Sequence, residues 1–327
     1  MKLVAFLLFL SPCVLLAQDY APAAGQPRST AIHAESELFV AWATGIEVTR
    51  GYVDVSRPDF EQNGSNYASY GVPEDALGPA SNSVVSLGDG GEAIVTFERP
   101  IKNGLGFDFA VFENGFDDTF LELAFVEVSS NGVDYFRFQS HSQTQAEVQV
   151  AAFDPVDPTY INNLAGKYRV LYGTPFDISE LDDHHLLDKN NITHVKIIDV
   201  VGSIDPAYAR YDGFGNIINE PFNTPFVSSG FDLDAVGVIN ERSLDVTNNT
   251  AASEVVVFPN PTSDFFYIKS PHLLSEVKLI DMQGRIVLRR YQISKNMKLD
   301  VSQLQAGVYL LLIESEDNSQ PFRLLKK

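Results

Sequence analysis

The sequence predicts an all-β protein, a large jelly-roll β-sandwich followed by a small antiparallel β-sandwich, on three observations. Short segments rich in β-branched and aromatic residues recur along the chain, each bounded by Gly, Asn or Asp clusters. No long stretch carries helical periodicity. The 327 residues include 22 Gly, 17 Pro, 23 Phe and 13 Tyr, which supply the turns and the core that many short strands need.

Residues 1–17 come first. MKLVAFLLFLSPCVLLA places one Lys before a nearly unbroken apolar run, and Ala17 is followed by the polar Gln18 and Asp19. This pattern predicts a secretory signal peptide. The run is shorter than the roughly 20 residues that cross a bilayer, and no other run approaches that length, so no transmembrane segment is expected. Cys13 is the one cysteine, and cleavage after Ala17 leaves a chain with no disulfide. Acylation at Cys13 is the competing reading, and Leu10, Ser11 and Pro12 before it fit a lipidation signal poorly.

Residues 18–247 form the large module. EAIVTFE (Glu92 to Glu98), FDFAVFE (Phe107 to Glu113), ELAFVEVS (Glu122 to Ser129), HVKIIDVV (His194 to Val201) and FDLDAVGVI (Phe231 to Ile239) are the clearest strands. Ser130, Asn131 and Gly132 mark a hairpin, since Asn and Gly tolerate positive φ. DISELDDHHLLD, Asp177 to Asp188, is the best candidate for a short helix. A linker over 248–255, poor in aromatics, leads to a second module over 256–327. Charge separates the two: 12 Lys and Arg stand against 36 Asp and Glu between Gln18 and Val255, and 10 against 7 from Val256 onward. The net charge of −20 argues against binding nucleic acid or an anionic membrane and leaves cations and neutral ligands open.

Several residues carry candidate chemistry. In a regular strand Asp232 and Asp234 share one face about 7 Å apart, and two like charges so close call for a counter-charge. A calcium ion with oxygen ligands from Glu113, Asn114 and Asp117, beside Asp118, supplies one; a solvated sheet end with carboxylates on turn amides is the alternative. Asp108 falls on the opposite face of its strand from Glu113, about 16 Å away, unless the strand bulges. Asp182, Asp183, His184, His185 and Asp188 have zinc-site composition without zinc-site spacing. The glycines of LGDGGEAIVTF precede a strand, which argues against a phosphate loop at a helix N-terminus. No GxSxG is present, and a cysteine-free mature chain has no thiol nucleophile. Trp42, Tyr208 and Tyr211, with Tyr67 and Tyr70, offer a surface for stacking on sugar rings, or else pack locally.

The second module runs VVVFPNPTSDFFYI, VKLIDMQGRIVLR, LDVSQL and AGVYLLLIES, then FRLLKK. Its Pro259, Asn260 and Pro261, its Asp281, Gly284 and Arg285, its Leu304, Gly307, Val308 and Tyr309, and its basic Lys326 and Lys327 recur in an order and spacing that resemble the type A C-terminal sorting domain of the type IX secretion system. That resemblance implies an address and no catalysis: recognition by the type IX machinery, passage through the periplasm and the outer membrane, then removal of the domain with release or surface attachment. SLGDGGEAIVTFERPI, NGLGFDFAVFENGF, VEVSSNGVDYF and GFDLDAVGVI in the large module are similar to segments of secreted cell-surface proteins of undefined activity, and imply a galactose-binding-like architecture. Fold alone leaves function open. The combined reading is an exported protein whose sandwich binds a glycan or mediates adhesion, with calcium in its loops. An extracellular carbohydrate-active enzyme and a structural surface component without a small ligand are the alternatives.

Overall fold

The computed structural model describes residues 20–242, 255–270, 273–281, 285–293, 296–314 and 319–327. The expected signal peptide with Cys13, the linker residues 248–254 and Gly284 lie outside them. The chain divides into two compact units, Met1–Leu244 and Asp245–Lys327.

Among the described residues the large unit has thirteen strands. They are β1 (Ile32–His33), β2 (Ala41–Trp42), β3 (Gly45–Thr49), β4 (Val85–Ser86), β5 (Glu92–Ile101), β6 (Phe109–Glu113), β7 (Ala124–Ser129), β8 (Phe136–Arg137), β9 (His141–Ser142), β10 (Ile161–Asn162), β11 (Tyr172–Phe176), β12 (Ile192–Asp199) and β13 (Asp232–Val238). One sheet runs β1-β11-β6-β13-β2 with β4 on β13, a second runs β3-β5-β12-β7-β8, and β9 pairs with β10. Every pairing is antiparallel. Inward residues of both large sheets, among them Val95, Phe109, Val126, Val195 and Val236, share one core. Phe109 is fully buried and stacks on Phe176 at 5.3 Å; burial of such a ring contributes about 1.5–3 kcal/mol. The five segments read as strands in the sequence are β5, β6, β7, β12 and β13.

The hairpin after β7 closes as its residues dictate. Asn131 Oδ1 accepts the amides of Val133 and Asp134, and Gly132 has φ +73°. The expected helix over 177–188 is a correction. Only Ile178–Glu180 turns, as a 3-10 helix capped by Asp177 on the Ser179 amide. Leu181 and Leu187 are both buried while 182–186 are exposed. A spacing of six does not return to one helix face, so the segment loops outward between its two leucine anchors.

The small unit holds β14 (Val256–Phe258), β15 (Phe265–Lys269), β16 (Leu274–Ile280), β17 (Ile286–Ile293), β18 (Asn296–Asp300), β19 (Gly307–Glu314) and β20 (Ser319–Lys326). Sheets β14-β15-β18 and β17-β16-β19-β20 form a second antiparallel sandwich. Its own core contains Phe266, Ile268, Val277, Leu299, Leu311 and Leu324. The alternation of exposed and buried residues along β15 is the period-two signature of a strand wet on one face.

Candidate functional site

Both large sheets end their strands on the same side of the sandwich. Asp199 closes β12 opposite the first residue of β7, and Leu233, second in β13, pairs with Glu113, last in β6. Asp89 follows β4 in a turn whose backbones approach too closely for side chains. A Cβ on Gly88, at φ +79°, would collide with the Gly51 carbonyl oxygen, and one on Gly230 would stand 2.6 Å from the Gly88 carbonyl carbon. Glycine alone permits that approach.

These elements bring six carboxyl groups, Asp89, Glu113, Glu122, Asp199, Glu220 and Asp232, into one seam, each at most 7% exposed. Asp199 accepts the amides of Gly90, Val201 and Phe231 at 2.8, 2.9 and 2.9 Å, yet burial still raises its carboxyl to about 6. Asp89 accepts the Val55 amide at 2.8 Å; burial, then the neighbouring Asp199, push it up to about 8. Burial lifts Asp232 to about 7 against the Ser86 hydroxyl, the Arg50 guanidinium and the Asn114 side chain, which pull the other way. Glu113, Glu122 and Glu220 are raised well above the carboxylate range, first by burial and then by one another and by Asp232 and Asp199. Glu113 Oε1 has no hydrogen-bond partner, while Ser86 pairs with Asp232 across β4 and β13 and sets its hydroxyl against the Asp232 carboxyl.

The sequence-derived calcium ligands therefore separate. Glu113, Asn114 and Asp232 meet, Asn114 lying against Asp232. Asp234 adds like charge near Glu113, but its oxygens take the amides of Ser81 and Asn82 at 3.0 and 3.1 Å. Its expected alignment with Asp232 fails because β13 bulges between Leu233 and Ala235, which breaks the two-residue alternation. Asp117 is exposed and spends Oδ1 on the amides of Thr119 and Phe120 and the Thr119 hydroxyl, which hold its carboxyl below the usual range. Asp118 pairs with Arg169. Asp108 is a buried brace on the amides of Gly104 and Ile178 and the Asn240 side chain. Among the described residues no group of three or more acidic, His or Cys side chains is placed to hold a metal ion. His184 and His185 stack on each other at 4.4 Å.

Glu122, Asp199, Glu220 and Asp89 escaped the sequence reading. The signal for the first two was an acid inside an apolar run, Leu121-Glu122-Leu123 and Ile198-Asp199-Val200, since such residues are rarely buried without a reason. Glu220, beside Pro221 in a loop, carries no such mark.

The aromatic candidates also separate. Trp42 packs on Phe39 and Phe112 with ring centroids 4.9 and 5.5 Å away, against the outer face of β6 and β13. Tyr211 is half exposed and bridges to Ile217. Tyr208 lines an open groove of about 640 Å³ together with Phe222, Ser56, Gln149, Asn223 and Asp205. None of the six seam carboxyl residues lines the groove, but Gln149, in its wall, donates to the carbonyls of Gly202 and Glu220.

In the small unit the flanking Pro259 and Pro261 have no N–H to give a strand, and the Asn260 side chain takes their place. Its Nδ2 donates to the Arg323 carbonyl at 2.6 Å and its Oδ1 accepts the Leu325 amide at 2.9 Å. Asn260→Ala should cost about 1 kcal/mol, read as a fall of about 4–8 °C in the melting transition of the small unit. Tyr309 is buried, and its hydroxyl donates to the Gln305 carbonyl at 2.8 Å. Gly307 opens β19, and Asp281 holds Arg285 across the β16–β17 turn at 2.7 Å. Among the described residues no helix is long and apolar enough to cross a membrane.

No curated protein matches the chain. Among solved structures it is similar to a β-glucuronidase of Ruminococcus gnavus, at 12% identity over 78% of this chain and 39% of that one, with a TM-score of 0.23. It is similar to a β-D-glucuronidase of Dictyoglomus thermophilum, at 13% over 89% and 44%, TM-score 0.23. A third is PorZ, a surface component of the type IX secretion system of Porphyromonas gingivalis, at 13% over 82% and 41%, TM-score 0.21. The chain spans less than half the length of each, and likenesses this slight say nothing of its activity. The family of secretion system C-terminal sorting domains matches residues 256–327. That segment is a type IX sorting domain, and it addresses the chain to the type IX machinery for secretion and the cell surface.

Proposed function

We propose that the large sandwich is a surface-displayed binding module for a neutral glycan. The groove at Tyr208 is the observation that carries this reading. Its volume, about 640 Å³, lies within the range of small-ligand sites, and its wall sets the rings of Tyr208 and Phe222 among hydroxyl, amide and carboxyl groups. A sugar presents apolar C–H faces for stacking and hydroxyls for hydrogen bonds, so this mixture is complementary to it. Glycosidic hydrolysis needs two carboxyl groups flanking the bond. Asp205 is the one acid among the groove's lining residues, and it already accepts the Ala207 amide at 2.9 Å, which favours binding over turnover.

A glycan array probed with the secreted protein tests the reading. Tyr208→Ala should weaken binding of a captured glycan at least tenfold, about 1.4 kcal/mol, while Trp42→Ala, remote from the groove lining, should leave affinity unchanged. Shortened glycan after incubation, stopped by Asp205→Asn, would make the protein an enzyme. Neither binding nor turnover across the array would leave a structural surface component.

A further inference from the structure

We propose that the outer face of the β14-β15-β18 sheet is the surface by which the type IX machinery binds this chain, and that its partner there is a protein surface with acidic side chains around an apolar centre. Along β15 burial alternates, so Phe266 and Ile268 enter the core while Phe265, Tyr267 and Lys269 face outward. Strand register brings neighbours alongside them. Phe258 of β14 and Lys298 of β18 flank Tyr267 in one row, and Val256 stands opposite Lys269. Val256, Phe258, Phe265 and Tyr267 are each between 37% and 45% exposed. Tyr267 stacks on Phe258 at 5.6 Å and meets Phe265 edge-on at 5.7 Å. An apolar cluster left open on a sheet whose other side already covers a core marks a contact surface.

Charge selects the partner. Lys298 lies 3.7 Å from the centre of the Phe265 ring, and Lys269 is exposed at the end of β15. Asp300, opposite Phe265 in the register, turns its carboxylate to the Ser302 amide at 2.8 Å. The other sheet's outer face is built differently. There Lys278 pairs with Glu276 and Glu314, and Arg289 with Glu276, so those charges are satisfied among themselves. Rings at the centre with charge at the rim are the anatomy of a protein interface, and rim lysines steer an acidic partner. A second copy packed on this face would bring lysine rims together, which works against a dimer. The sorting-domain match covers all three strands of the sheet, so the patch lies on the unit that the machinery recognises. A patch this small suits brief contact, as cargo handed onward requires.

The test follows export of the full chain by cell fractionation, with substitutions confined to exposed side chains. Phe258→Ser combined with Tyr267→Ser should lower the exported protein about tenfold, as loss of central aromatic contacts does. Lys269→Glu combined with Lys298→Glu should lower it about threefold, as reversed rim charge does. Tyr291→Ser, exposed on β17 of the other sheet, should be exported like the wild type. Each purified variant should keep the wild-type melting transition of the small unit, and the lysine pair decides the matter if the ring variants melt early. Export lost on deletion of residues 256–327 but intact in both double variants would leave the address standing and overturn this surface. A full-chain dimer in sedimentation, broken by Phe258→Ser while export persists, would make the occupant a second copy and overturn it. Flotation of the wild type, but of neither double variant, with phosphatidylglycerol vesicles would make the partner a lipid surface and overturn it too.

Discussion

Deletion of residues 256–327 should empty the cell surface and the medium of this protein while leaving the large sandwich folded inside the cell envelope. Each unit has a core of its own, one centred on Phe109 and Val195, the other on Phe266 and Leu311, so removing the second takes no side chain from the first. The sorting-domain match, residues 256–327, falls entirely within the second unit. Fractionation with an antibody to the large unit should show the exported signal falling to background and a periplasmic pool taking its place. The converse experiment fuses a leader, a reporter and residues 256–327, and should deliver the reporter to the surface. Unchanged export of the truncated chain would refute the address. Aggregation of that chain, with export lost, would instead show that the two units do not fold independently.

The fold was largely legible because its signals are local. Alternating and β-branched runs marked β5, β6, β7, β12 and β13, and Asn131 with Gly132 marked the hairpin that follows β7. The sorting domain was legible for a related reason: Pro259, Asn260, Pro261, Gly307 and Tyr309 sit where the backbone needs them, and their spacing survives in sequence. The candidate site was half legible. Glu113, Asn114 and Asp232 announced themselves by clustering in acid-rich strand ends, but Glu122, Asp199 and Glu220 reach the seam from distant segments, through sheet pairing that no short window contains. Asp234 misled because a bulge, invisible in composition, changes which way its strand faces. The segment 177–188 misled because its two buried leucines, Leu181 and Leu187, stand six residues apart and cannot share one helix face, while Leu186 is exposed.

The protein should be most stable near pH 4 and lose stability steadily toward pH 8, the reverse of a protein held by ion-paired carboxylates. In the seam, burial lifts Asp199, Asp232 and Asp89 to about 6, 7 and 8, against about 3.9 for an unfolded Asp. Above pH 4 the native state therefore holds protons that the unfolded chain has already released. Stability falls with rising pH wherever the native state binds more protons, by about 1.4 kcal/mol per pH unit for each proton in excess. The contribution is fully present below the unfolded value and is lost as pH climbs through 6, 7 and 8. Asp212 acts the other way at the acid end. Burial raises its carboxyl, but the Ser142, Asn216 and Phe214 amides and the Asn216 side chain together hold it below the ordinary value. Its stabilisation is present above that value and fades as pH falls through the lower folded one, which places the maximum near pH 4. Urea unfolding at half-unit steps from pH 4 to 8 measures the profile. A profile that rises from pH 5 to 8 would mean that the native state binds fewer protons than the unfolded chain across that range, and a seam that holds its protons above pH 5 would then be refuted.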